Sequence, residues 1–128
     1  MHFESLKTIN NHKKESKMST SQIIFDITLD KDNVPEKISW KATDNPQGET
    51  ATETKAVSIA LWDQKEKHSL RIDLWSKDMP VDEMKKFYIE CIAGLGDGIK
   101  RSTNDDEMAH QIHELCNRLV DHVKKTAE

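Results

Sequence analysis

The chain is predicted to be an α+β protein, with one four-stranded antiparallel sheet built from two hairpins and two C-terminal helices packed on one of its faces. Three observations lead there. Four segments before residue 76 alternate apolar and polar side chains with period two, as half-buried strands do. After Pro80 the apolar period lengthens to three and four residues, and it restarts after Asn104, as in two amphipathic helices. The resulting order, ββββαα, keeps strands and helices apart along the chain, which favours an antiparallel sheet with helices on a single side.

Residues 1–17 are polar, rich in lysine and without periodicity, so they are expected to be a disordered N-terminal extension, leaving 18–128 as one domain. Met18, followed by Ser-Thr-Ser, is one candidate for the natural start. The first strand is expected near Gln22–Leu29, with Ile23, Phe25, Ile27 and Leu29 on one face. Asp30-Lys31-Asp32-Asn33-Val34-Pro35 carries turn residues. The second strand is expected near Lys37–Thr43, with Ile38, Trp40 and Ala42 on its apolar face. Pairing Leu29 with Ile38 would set Ile27 opposite Trp40, a favourable aliphatic–aromatic pair. Asp44–Thr54, with Pro46, Gly48 and a run of Thr and Glu, is expected to be a mobile loop.

The most informative stretch is Ala56–Tyr88, AVSIALWDQKEKHSLRIDLWSKDMPVDEMKKFY. One arm alternates Val57, Ile59 and Leu61 with Ala56, Ser58, Ala60 and Trp62. The other alternates Leu70, Ile72 and Leu74 with Ser69, Arg71, Asp73 and Trp75. Pairing Leu61 with Leu70, Ile59 with Ile72 and Val57 with Leu74 puts both aliphatic rows on one face, whereas a slip of one residue would turn one row to water. Gln64-Lys65-Glu66-Lys67 then lies near the turn.

Pro80 opens the first helix, at a position where its missing N–H has no intrahelical partner to lose. Asp82 and Glu83 meet the positive end of the helix dipole. Val81, Met84, Tyr88, Cys91, Ile92, Leu95 and Ile99 form its apolar stripe. Gly94, Gly96 and Gly98 each cost about 1 kcal/mol of helix propensity relative to alanine, so they serve close packing or mark a kink. Asn104 and Glu107 are spaced as a capping-box variant that starts the second helix. Its stripe is Met108, Ile112, Leu115, Cys116, Leu119 and Val123, and Lys124 and Lys125 suit its C-terminal end.

Three stretches, VPEKISWKATD (34–44), LRIDLWSKDMPVDEMKKFYI (70–89) and LCNRLVDHV (115–123), carry a family resemblance. From Met18 to its end the chain resembles the GldC family, gliding-motility-associated proteins of Bacteroidetes bacteria. The resemblance implies a small cytoplasmic accessory protein of the gliding machinery, which is tied to type IX secretion. It implies no enzyme and supplies no catalytic residues. The N-terminal extension and the spacing Gly94-Leu95-Gly96-Asp97-Gly98 depart from the family pattern.

Composition narrows the function classes. The chain has 128 residues, 33% charged and 35% hydrophobic, enough for one modest core in a soluble protein. Its net charge is −4, and residues 1–17 hold four lysines against two glutamates, which leaves about −6 from Met18 onward. An acidic body disfavours nucleic acid, whose phosphates call for Lys and Arg. No apolar run has the length of a signal-peptide core or a membrane span, so neither export nor membrane insertion is expected and the cytoplasm is. Cys91 and Cys116 fall on apolar helical patterns and are expected to be buried thiols without a disulfide.

Chemistry-bearing clusters are sparse. His110, His113 and Cys116 are possible zinc ligands, but each step of three residues turns about −60° around a helix, so the three fan apart. Cys91 has no cation beside it in sequence to lower its pKa. Asp82-Glu83 and Asp105-Asp106 read as helix-start charges. The three glycines follow a helix, the wrong context for a phosphate-cradling loop. No metal, cofactor or catalytic residue is therefore expected.

The sheet face opposite the aliphatic row remains. It carries Trp62, Arg71 and Trp75 among small residues, and Trp and Arg are the types most enriched in binding hot spots. These three are the candidate protein-interaction surface. Alternatively, the tryptophans shield the strand ends or pack on the Asp44–Thr54 loop. The expected function is that of a non-enzymatic accessory of gliding, acting on other machinery proteins, with a second copy of itself as a further candidate partner. The runner-up is a polypeptide-binding export chaperone, since the element order is similar to that of SecB-type chaperones.

Overall fold

A computed structural model describes residues 18–44 and 50–127. Its elements are β1 (Ile23–Leu29), β2 (Pro35–Ala42), β3 (Thr52–Thr54), β4 (Ala56–Trp62), β5 (Ser69–Trp75), α1 (Val81–Thr103) and α2 (Asp106–Thr126). The α+β class and the two C-terminal helices hold. The single four-stranded sheet does not: β1-β2-β3 form a three-stranded antiparallel sheet, and β4-β5 a separate two-stranded one. The expected disordered extension lies outside the described residues, as do residues 45–49 of the expected mobile loop.

The chain divides into two compact units, Met1–Ile59 with Ile72–Asp78, and Ala60–Arg71 with Met79–Glu128. In the first unit, β1 and β2 pair Phe25 with Trp40 and Ile27 with Ile38, two residues away from the expected register. The turn explains the shift. Asp30 accepts the backbone N–H of Asp32 at 2.7 Å and of Val34 at 3.1 Å. Asn33 takes the left-handed conformation that asparagine tolerates (φ 63°), and Asp30 N–H closes on the Val34 carbonyl at 2.9 Å. So compact a turn lets pairing begin at Pro35, the first residue of a strand being one of the few places a sheet accepts proline. A bulge between Thr28 and Leu29 absorbs the mismatch. A two-residue shift preserves the faces, so Ile23, Phe25 and Ile27 still share a side with Ile38, Trp40 and Ala42. Ile38 is fully covered at 0% exposure, Ala42 is buried, and Trp40 is half-buried.

β3 fell within the expected loop. It pairs Thr54 with Ile38 and Thr52 with Trp40, yet Thr-Glu-Thr offers no apolar alternation by which sequence could reveal it.

In the second unit, α1 and α2 form a helical hairpin. Pro80 is the N-cap residue of α1, one position before the helix. Asn104 closes α1 in the left-handed conformation, its N–H on the Lys100 carbonyl at 3.0 Å. Asp105 caps α2, its carboxylate accepting the Met108 N–H at 2.9 Å. The cap is therefore Asp105, not Asn104, because Asn104 is occupied in ending the previous helix. The three glycines have different roles. A Cβ on Gly96 would come to 3.0 Å from Ile112 Cγ2 and 3.2 Å from His113 Nε2, whereas Gly94 and Gly98 would meet nothing within 4 Å. Close packing accounts for Gly96 alone, and α1 is one continuous helix through all three.

Candidate interaction surface

The β4–β5 hairpin carries all three residues singled out as a contact surface. Its turn is built around Asp63, whose carboxylate accepts the N–H groups of Lys65 at 3.1 Å and Glu66 at 2.6 Å. Lys67 adopts a positive φ of 57°, and Asp63 N–H reaches the His68 carbonyl at 2.9 Å. At the other end, Ser76 N–H reaches the Lys55 carbonyl at 2.8 Å. Ser58 Oγ donates to Asp73 Oδ1 at 2.7 Å, which puts those two side chains on one face, opposite each other. These contacts lie on the register in which Leu61 faces Leu70, Ile59 faces Ile72 and Val57 faces Leu74.

A polar clasp secures the base of the hairpin in the first unit. Lys77 N–H donates to the Pro35 carbonyl at 2.9 Å, and Lys77 Nζ lies 3.0 Å from Asp30 and 3.2 Å from Glu36. Lys55 Nζ meets Asp78 Oδ2 at 2.9 Å, while the buried Ser76 donates its hydroxyl to Asp78 Oδ1 at 2.7 Å. Lys77, helped by the Val34 and Asp32 N–H groups, holds the Asp30 carboxyl below its ordinary range. Asp30 and Glu36 in turn raise Lys77, and Lys55 with Ser76 lowers Asp78.

Burial falls along the hairpin from base to turn. On the aliphatic face Val57 is 8% exposed, Ile59 and Leu74 are half-buried, and Leu61 and Leu70 reach 51% and 48%. At the outer half of this face Leu61 and Leu70 are thus not enclosed. On the opposite face Trp62 is 69% exposed, and Arg71 is exposed beside it. The outer hairpin is thus apolar on both faces, Leu61 with Leu70 on one and Trp62 on the other. Consecutive Leu-Trp in a strand signals this directly, since neighbouring side chains point to opposite faces.

The three candidates are not gathered into one patch. Trp62 ends β4 at the turn, whereas Trp75 ends β5 at the base, roughly 20 Å away at about 3.4 Å of strand rise per residue. Trp75 is about half exposed at its own end.

The residues weighed for metal or thiol chemistry have other contacts. His113 Nε2 lies 3.2 Å from Asp97 Oδ1, and Cys116 Sγ is 3.8 Å from the Ile89 carbonyl oxygen, both between α1 and α2. His110 is on the exposed side of α2. Cys116 is buried, Cys91 is half-buried, and both are free thiols. No helix among the described residues is long and apolar enough to cross a membrane.

Compared with known proteins, the chain matches the family model of gliding motility-associated protein GldC-like over residues 35–125. None of the curated proteins and none of the solved structures matches it.

Proposed function

The chain belongs to the GldC-like family of gliding motility-associated proteins, and from that premise we propose that it is a non-enzymatic accessory of the gliding machinery that works by protein–protein contact in the cytoplasm. Its contacts are with other machinery proteins, and through them it serves the associated type IX secretion. The observation that carries this reading is the outer hairpin, where Leu61, Leu70 and Trp62 present apolar surface on both faces. Exposed aromatic and aliphatic side chains held on a tight turn suit a hot spot, in which a few residues supply most of the binding energy. Arg71, next to this cluster, adds a planar donor for a partner's carboxylate.

Crosslinking and capture from a gliding bacterium, with this chain as bait, test the proposal. Gliding-machinery proteins are expected among the captured species, and Trp62→Ala should weaken their capture by ~2 kcal/mol or more. Absence of any machinery protein from the crosslinked set would overturn the reading. The SecB-like alternative draws on the same exposed apolar rows and predicts a different outcome: capture of many unfolded polypeptides, with competition by any denatured protein.

A further inference from the structure

We propose that the outer hairpin is a wedge, inserting into a cleft of a partner protein that has two apolar walls and an acidic floor. The inference rests on the contact role proposed above and adds the shape and chemistry of the partner's site.

Two apolar faces call for two walls. Leu61 and Leu70 stand on one face of the hairpin, 51% and 48% exposed, and Trp62 stands on the other, 69% exposed. Neighbouring side chains of a strand point in opposite directions, so one flat surface covers one of these rows and leaves the other in water. Both rows leave water together only when the ribbon lies between two surfaces. Layers pack on a sheet at about 10 Å, which sets the walls about 20 Å apart, backbone to backbone, with the hairpin as the middle layer. The wall against Leu61 and Leu70 is aliphatic. The wall against Trp62 holds a slot for an indole and an acceptor for its N–H, since a buried tryptophan keeps a hydrogen-bond partner.

The turn specifies the floor. Residues 64–68, Gln-Lys-Glu-Lys-His, are all exposed. Asp63 is engaged within the turn, its carboxylate accepting the N–H groups of Lys65 and Glu66. The charges left facing outward are Lys65 and Lys67 against Glu66, and neither lysine forms an ion pair with another described residue. This cationic tip sits on a body whose net charge from Met18 onward is about −6. Carboxylates at the bottom of the cleft attract the tip and repel the acidic remainder, so the tip is the part that enters.

The same turn argues against a lipid surface. A bilayer approached tip first meets Lys65, Glu66 and Lys67 before it meets Leu61 or Trp62. A hairpin lying flat on the bilayer covers one apolar row alone.

Photocrosslinking in intact cells of a gliding bacterium tests the wedge. A benzophenone side chain is placed in the full chain at Leu70 on the aliphatic face, at Ser69 on the tryptophan face, or at Thr28, an exposed position of β1. Leu70 and Ser69 are expected to give adducts with the same protein, through two different segments of it, and Thr28 none. Lys65→Glu combined with Lys67→Glu should lower both yields about fivefold, the effect of two exposed charges. Circular dichroism of each purified chain shows whether it folds, and Leu61 and Ala60 are the substitute positions on the two faces. Adducts from one face only, different proteins on the two faces, an adduct with lipid or with a second copy, or no adduct would each overturn the wedge. Yields unmoved by the double charge reversal would overturn the acidic floor. A one-face adduct with a gliding-machinery protein defeats the wedge and leaves the contact role standing. A two-face adduct with a protein outside the machinery keeps the wedge and defeats the gliding assignment.

Discussion

The base and the outer half of the β4–β5 hairpin share one alternating pattern and end in opposite circumstances. At the base, Val57 is buried and Lys77, Asp30, Glu36, Lys55, Asp78 and Ser76 tie the strand ends into the first unit. Toward the turn, Leu61 and Leu70 stand half in water although they continue the same row. Alternation establishes which side chains share a face. It does not establish that anything covers that face, because covering is supplied by other segments and not by the strand. The outer half is therefore where apolar surface is left exposed, and it is there that we propose the contact role.

The largest expected effect is at the covered extreme. Ile38→Ala should cost about 2–5 kcal/mol in denaturant unfolding, since Ile38 is fully enclosed and its loss leaves a cavity. Leu61→Ala should cost about 1 kcal/mol, because half of its surface is already in water. Equal losses at the two sites would break the contrast.

The same contrast recurs between glycines of α1. Gly96→Ala should destabilise by about 1–3 kcal/mol, as the added methyl presses on Ile112 and His113. Gly94→Ala and Gly98→Ala have open space and should each stabilise by up to about 1 kcal/mol through helix propensity. Thermal melts of the three single variants would show whether α1 is packed at one glycine or at all of them.

The clasp at the base gives a smaller, pH-dependent signature. Asp30 and Asp78 are lowered from the ordinary value of 3.8, so their stabilisation is fully present above that value and is lost as pH falls through their folded values. Lys77 is raised from 10.5, so its share is complete below that value and disappears as pH rises through the folded one. Lys77→Met should flatten the alkaline limb of the stability–pH curve and remove the Asp30 share of the acid limb, leaving the Asp78 share, which Lys55 and Ser76 maintain, as measured by urea unfolding across the range.

Much of this fold was legible in the sequence. Period-two rows located β1, β2, β4 and β5, and the hairpin register followed from keeping two aliphatic rows together. Pro80 and the three- and four-residue stripes located both helices. The β1–β2 register was missed by two residues because both choices keep Ile38 and Trp40 on the apolar face. Turn chemistry at Asp30 and Asn33, not face preference, decides between them. β3 was illegible for a simpler reason: three polar residues pair through their backbone with β2 and bury little. The residues of the candidate site were legible by type, and their separation along the hairpin follows from strand length. The exposure of Leu61 and Leu70 was not legible, since it depends on what the rest of the chain leaves uncovered.

The most direct test is a paired measurement on Trp62→Ala, comparing its melting temperature and its capture of gliding-machinery proteins with those of the wild type. Melting within a few degrees of the wild type, with capture reduced at least tenfold, is the expected result for an exposed contact residue. Melting that falls as far as for Ile38→Ala would contradict it and make Trp62 part of the core, and unchanged capture would move the contact surface elsewhere.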